Sequence, residues 1–172
     1  MAVMEMTEKS FWSNRNVLVT GHSGFKGSWL SLYLRSLGAN VWGYSLGAHR
    51  GEKTLHNEIV RECPDFTHCT YADILDLERL SRCVGEAQPS VVFHLAAQPL
   101  VSESYDDPVN TWETNVIGSL KVLESLRQLR HKCAVVLITT DKVYENREWQ
   151  HSYRENDVLG GYDPYSASKA GS

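Results

Sequence analysis

Residues 16–27 read NVLVTGHSGFKG. Asn16 to Thr20 is a short β-rich apolar run, the pattern of a buried strand. It breaks at Gly21, and glycines recur at 24 and 27, a G-x-x-G-x-x-G spacing. Between a strand and a helix, Gly21 permits a tight turn and Gly24 lets the backbone approach a pyrophosphate. Gly27 lets the helix pack close to the strand. Phe25 opens that helix, whose N-terminal amides and dipole favour an anion. Ser23 either caps the helix or touches the phosphate. An ordinary glycine-rich turn is the competing reading of the spacing.

Outward from this loop the chain alternates. Phe25 to Leu37 has a helical pattern, with Trp29, Leu32, Tyr33 and Leu34 at helical spacing and Gly38 as its stop. Strands are expected over Asn40–Ser45, Thr67–Ala72, Ser90–Leu95 and Ala134–Thr140. Helices are expected over Asp76–Ala87, over Pro108–Arg130 with a Val116, Leu120, Leu123, Leu126 stripe, and from Ser166 onward. Gly47 to Cys63 is polar and poorly patterned. Such alternation implies an α/β fold, a Rossmann-type doubly wound parallel sheet with helices on both faces. Ligands in such sheets bind beyond the carboxyl ends of the strands. There the chain places Gly21, Asp73-Ile74, Leu95-Ala96-Ala97-Gln98 and Thr139-Thr140-Asp141-Lys142.

Composition agrees and excludes. The 172 residues are 42% hydrophobic and 22% charged, which suits one globular unit rather than a disordered chain. A net charge of −4 offers no basic stripe for nucleic acid. No apolar run is long enough for a membrane helix, and Met1 to Trp12 lacks the features of a signal peptide, so a cytoplasmic protein is expected. Cys63, Cys69, Cys83 and Cys133 are scattered, without a C-x-x-C pair, and the histidines show no H-x-H or H-x-x-x-H spacing. Reduced thiols are expected, and no metal.

Two further features carry chemistry. Tyr165 and Lys169 form a Y-x-x-x-K pair, on one face of a helix. There the ammonium can lower the phenol's pKa and hold a ribose hydroxyl, so that the tyrosine takes a proton from a substrate alcohol. Thr140 can share that alcohol's hydrogen bond, and Asp141 and Lys142 offer an acid and a base beside it. A simple turn with an exposed ion pair is the alternative. The second strand has no acid at its end to hold a ribose, only His49 and Arg50 beyond it. The residues alone therefore leave NAD and NADP both open. Asp73 meets an adenine edge, or Asp73 or Asp76 caps a helix.

The glycine loop, the strand-four LAA and Y-x-x-x-K together resemble the extended short-chain dehydrogenase/reductase superfamily. TGHSGFKGSWL (20–30), HLAAQPLVSESY (94–105), TNVIGSLKVLE (114–124), ITTDKVYEN (138–146) and YRENDVLGGYDPYSASKAG (153–171) look like its CDP-glucose 4,6-dehydratase branch. The related dTDP-glucose dehydratases typically carry Asp-Glu where this chain has Asp141-Lys142. The resemblance implies NAD, a nucleotide-sugar substrate such as CDP-glucose, and a role in deoxysugar biosynthesis. It implies Tyr165 as base at the C4 hydroxyl, supported by Lys169 and Thr140. Asp141 would be the acid for the departing C6 hydroxyl, and Lys142 would act at C5. Gln98 would lie on the nicotinamide side, and Asn115 would face the substrate or serve helix packing. Gly21, Ser23, Gly24, Phe25, Gly27, Asp73, Ile74, Leu95, Ala96, Ala97, Gln98, Tyr165 and Lys169 make up the expected cofactor site. Gln98, Asn115 and Thr140 make up the substrate contacts. The resemblance further implies a homo-oligomer, dimer or tetramer. It makes 1–172 the dinucleotide-binding part of a longer protein, whose substrate domain lies outside this chain. The last helix, cut after two turns, would be too short to stand alone, and this segment by itself would not turn over substrate.

Overall fold

A computed structural model describes residues 9–47, 53–62 and 68–172. Five parallel strands form one sheet in the order β3-β2-β1-β4-β5. They are β1 (Asn16–Thr20), β2 (Asn40–Ser45), β3 (His68–Tyr71), β4 (Val91–His94) and β5 (Ala134–Leu137). Chain order reverses between β1 and β4, where Val17 is level with Val41 on one side and Val91 on the other. That switch point opens a crevice at the carboxyl ends of the strands. Thr67 lies outside the described residues, as do Cys63, His49 and Arg50.

Side chains alternate across the central strands and build two cores. Leu18, Tyr44 and Val92 point to the face covered by Leu80, Val84 and Val122. Val17, Val19, Val41 and Val91 point to the other, against Leu34. Helix α1 (Phe25–Ser36) therefore covers one face, and α3 (Leu77–Ala87) and α6 (Gly118–Leu126) the other. Cys83 is buried and Cys69 and Cys133 half-buried, and none of the three forms a disulfide.

The structure corrects several expectations. The unpatterned stretch holds α2 (Leu55–Glu62), which buries only His56 and so shows no apolar stripe. A short α4 (Val101–Asp106) precedes α5 (Pro108–Trp112), which Asp107 caps through the Asn110 amide. The long helix expected from Pro108 is interrupted by a π-helical turn, Glu113–Ile117, before α6 ends at Leu126. Its predicted stripe is split, with Leu126 packed against the core and Val116 half-buried. Leu120 and Leu123 are exposed, while Gly118, Ser119, Val122 and Ser125 face the core. Helix α1 does the same, burying Gly27, Ser28, Ser31 and Leu34 while Trp29 and Tyr33 stay exposed. Small core-facing residues let both helices approach the sheet closely, which the spacing of large apolar residues does not reveal. Strand β5 ends at Leu137, earlier than expected, because the next residues leave the sheet for the site below. Helix α7 (Pro164–Gly171) starts ahead of Ser166, with Asp163 as its cap.

Candidate functional site

The glycine loop folds as its spacing requires. Gly21 adopts φ of 71°, and a Cβ there would lie 2.8 Å from the Ala96 nitrogen, so only glycine allows β1 and the end of β4 to meet. A Cβ on Gly27 would lie 2.1 Å from the Gly21 carbonyl oxygen, which shows how tightly α1 sits on the loop. Gly24 caps α1 without any side-chain hydrogen bond, and no acid stands in the first turn. Ser23 therefore does not cap the helix, and the first-turn amides face the crevice with the polarity a pyrophosphate needs. Asp76, through the Arg79 amide, is the cap of α3. Asp73 is exposed and accepts from the Leu75 amide at 2.9 Å, while its own carbonyl accepts from Tyr44 Oη. Ile74 is a core residue, leaving only its backbone for a ligand.

A buried polar chain locks β1 to β4. Ser119 Oγ donates to the Asn115 carbonyl at 2.6 Å, so it accepts from His94 Nε2 at 3.0 Å. His94 Nδ1 then accepts from Thr20 Oγ1 at 2.6 Å, and Thr20 Oγ1 accepts from the Ala96 amide. Burial, aided by the Lys169 charge, lowers the His94 pKa to about 4, which keeps this tautomer neutral. The Leu95 amide donates to the Thr20 carbonyl, so residues 95–97 leave the sheet under fixed geometry.

Gln98 and Asn115 are buried. The Gln98 amide nitrogen donates to the Leu100 carbonyl at 3.0 Å and to Thr111 Oγ1 at 2.9 Å, and its side-chain oxygen takes the Leu100 amide. Asn115 Oδ1 accepts the Gln98 backbone amide at 2.9 Å, and Nδ2 donates to the Gln98 carbonyl and to Ser168 Oγ at 2.8 Å. Both side chains have used their polar groups inside the protein. They brace the β4 loop against α7.

Beyond β5 the chain turns sharply. Thr140 Oγ1 donates to Asp141 Oδ1 at 2.9 Å and accepts the Lys142 amide, starting a single turn over Asp141–Val143. Tyr165, on α7, faces this turn. Burial raises its pKa, the neighbouring Thr140 hydroxyl opposes, and Asp141 and Asp163 add to the rise. Lys169 does not contribute to that balance. Its Nζ donates to the Ile138 carbonyl at 3.3 Å, and burial lowers its own pKa. The ammonium is turned toward the end of β5. Asp163 accepts from the Ser166 amide and hydroxyl. Burial alone would raise its pKa, but those bonds and the Lys142 charge hold it down.

Asp141, Lys142, Asp163 and Ser166 line a cleft of about 350 Å³ together with Tyr144, Tyr153 and Tyr162. Tyr144 and Tyr153 stack at 4.9 Å. The tyrosines and Asp163 lie within the motif segments, but no residue-level signal in the sequence set them apart.

The GDP-mannose 4,6 dehydratase family profile matches residues 18–172. The chain belongs to this family. It is 51% identical to a CDP-glucose 4,6-dehydratase of Salmonella typhimurium over 95% of this chain and 45% of that protein. A UDP-glucose 4-epimerase of Thermus thermophilus solved with NAD has a TM-score of 0.74 at 31% identity, over 90% of this chain and 47% of the other. A UDP-glucose 4-epimerase of Stenotrophomonas maltophila, solved with NAD and a formylated UDP-arabinopyranose, has a TM-score of 0.79 at 25% identity over 91% and 46%. The chain thus spans about half the length of the family relatives it matches. Among the described residues no helix is long and apolar enough to cross a membrane.

Proposed function

We propose that this chain is the dinucleotide-binding part of an NAD-dependent nucleotide-sugar 4,6-dehydratase acting on CDP-glucose. The observation that carries the reading is Tyr165 beside Thr140 and Asp141, next to a cleft lined by Asp141 and Lys142, in a chain 51% identical to a CDP-glucose 4,6-dehydratase. The uncapped α1 terminus and the close approach at Gly21 suit a dinucleotide. NAD, when bound, supplies a hydride acceptor that later returns the same hydride.

Tyr165 takes the proton of the sugar C4 hydroxyl, and Thr140 holds that oxygen. A ketone at C4 acidifies the C5 proton, and Lys142 takes part in its removal, as base or by steadying the enolate with its charge. Asp141 gives a proton to the C6 hydroxyl as it leaves as water. The product is CDP-4-keto-6-deoxyglucose, with no net oxidation. The nucleotide is bound by the part of the protein outside this chain. The reading carries with it a cytoplasmic enzyme of deoxysugar biosynthesis, of the kind that feeds lipopolysaccharide. It also carries a homo-oligomer, for which the outward apolar faces at Val109, Trp112 and Leu120 offer a surface.

The test is mass spectrometry of CDP-glucose incubated with the full-length protein and catalytic NAD, with dTDP- and UDP-glucose alongside. Loss of one water from CDP-glucose without NADH build-up is expected, and unchanged mass with all three sugars defeats the reading. Tyr165→Phe should lower turnover by about 100-fold or more, the scale of a lost proton-transfer group. Asp141→Asn should stop water loss, whereas a 4-epimerase, which needs no acid at C6, would keep its activity.

A further inference from the structure

At the β2–β3 edge, away from the Tyr165 cleft, three side chains meet from separate parts of the chain. His22 comes from the glycine loop, His56 from α2 and Cys69 from β3. One nitrogen of each imidazole and the Cys69 sulfur all lie within 4.8 Å of one another. His22 is completely buried, yet neither of its ring nitrogens has a hydrogen-bond partner. Interiors seldom leave such a group unmet, because its desolvation goes uncompensated.

Packing mainly holds the His22 ring, with the Tyr44 backbone as a weak polar neighbour. The ring lies over Gly43, where a Cβ would come within 2.4 Å of its Cδ2, and it meets His56 edge-on with centroids 5.0 Å apart. His56 is also buried, and its Nε2 shares a 2.9 Å hydrogen bond with Tyr71 Oη. A ligating imidazole commonly keeps one nitrogen on the metal and the other on such a partner, which fixes its orientation. The Cys69 thiol adjoins the same tyrosine hydroxyl. Burial lowers the pKa of both histidines, that of His22 to about 4.

We propose that His22, His56 and Cys69 form a binding site for one zinc ion. Two neutral imidazoles and a thiolate make a borderline-soft donor set, suited to zinc and not to magnesium or calcium. Zinc–nitrogen bonds of about 2.0–2.1 Å and a zinc–sulfur bond of about 2.3 Å require the three donor atoms to draw in by roughly 1 Å. Binding forms the Zn–S bond and releases the thiol proton to water. A water molecule takes the fourth position. The ion ties the glycine loop to α2 and β3, so it stabilises the dinucleotide side of the crevice without taking part in chemistry at Tyr165.

The full-length protein, stripped with a chelator and reloaded, tests this. Elemental analysis after gel filtration should find about one zinc per chain, and zinc at about 100 times its Kd should raise Tm by about 5 °C or more. Cobalt loading should give a thiolate-to-cobalt charge-transfer band that Cys69→Ser removes. Cys69→Ser and His56→Gln should each weaken zinc binding about 10-fold or more, while Cys133→Ser, remote from the cluster, leaves it unchanged. These variants spare the packed His22 ring. Failure to retain zinc, or equal retention by all three variants, overturns the proposal. So does an ordered water between His22 and His56 in crystals of zinc-treated protein.

Discussion

His94 ends β4, and His22 lies in the loop after β1 with its ring over Gly43 of β2. Both are almost wholly buried, and burial lowers the pKa of each to about 4. They differ in their partners. His94 has both nitrogens satisfied in a chain from Thr20 to Ser119. His22 has neither in a well-formed hydrogen bond, with packing on Gly43 and His56 and a weak interaction with the Tyr44 backbone instead. Equal burial therefore yields a closed network on one side of β1 and an open donor set on the other. A closed network fixes geometry, here that of the residues leading to Ala96. An open one has coordinating capacity to spare.

Removing each ring in chelator-stripped protein should break the comparison most visibly. His94→Ala empties volume and removes the acceptor of the Thr20 hydroxyl and the donor to Ser119 Oγ, which should cost about 3–4 kcal/mol. His22→Ala loses packing but no hydrogen bond and should cost about half as much. Urea unfolding of both variants side by side reads the difference, and equal losses would mean that His22 has a polar partner after all.

Gly43→Ala sharpens the point from the strand side. Its methyl would strike the His22 ring, so a loss of about 2 kcal/mol is expected from overpacking. In a His22→Ala background the same change should cost less than about 0.5 kcal/mol, giving a clear coupling energy in a double-mutant cycle.

The pH dependence follows from the two lowered values. An unfolded histidine takes up a proton near its ordinary pKa of 6.5, whereas these folded ones wait until about 4. Between those values the unfolded state binds more protons, so stability falls as pH falls. From about pH 7 to pH 5 each ring should remove about 2 kcal/mol, and His94→Gln should flatten the slope by one proton's share. Unfolding midpoints at several pH values measure it. The smallest effect is expected from Ser119→Ala, about 1 kcal/mol, since it opens only one end of the His94 chain.

Much of this molecule could be read along the chain. β1 and β2 have the expected bounds, and Gly21 and Gly27 do what their spacing demands. Local signals are strong there because a buried parallel strand and a turn of positive φ tolerate few residue types. Helices were read less well. α2 shows no stripe because it buries one histidine, and the π turn leaves no mark in the apolar pattern. At the site, the strand-end rule points to Thr140 and Asp141 and the Y-x-x-x-K spacing to Tyr165, and the fold brings the three together. For Gln98 and Asn115, residue type does not show that the side-chain amides make hydrogen bonds within the protein.

By itself the sequence determined the strand–helix alternation, the glycine loop and the gathering of reactive residues at the strand ends. These depend on backbone conformation and short-range periodicity, which neighbouring residues set. Only the tertiary structure decided which polar side chains are spent and which are open. Cys69 lies in a strand, His56 in a helix and His22 in a loop, and no spacing rule links them. They meet because the parallel pairing of β1, β2 and β3 brings those three elements to one edge, and contact across a sheet is set by strand order, not by distance along the chain.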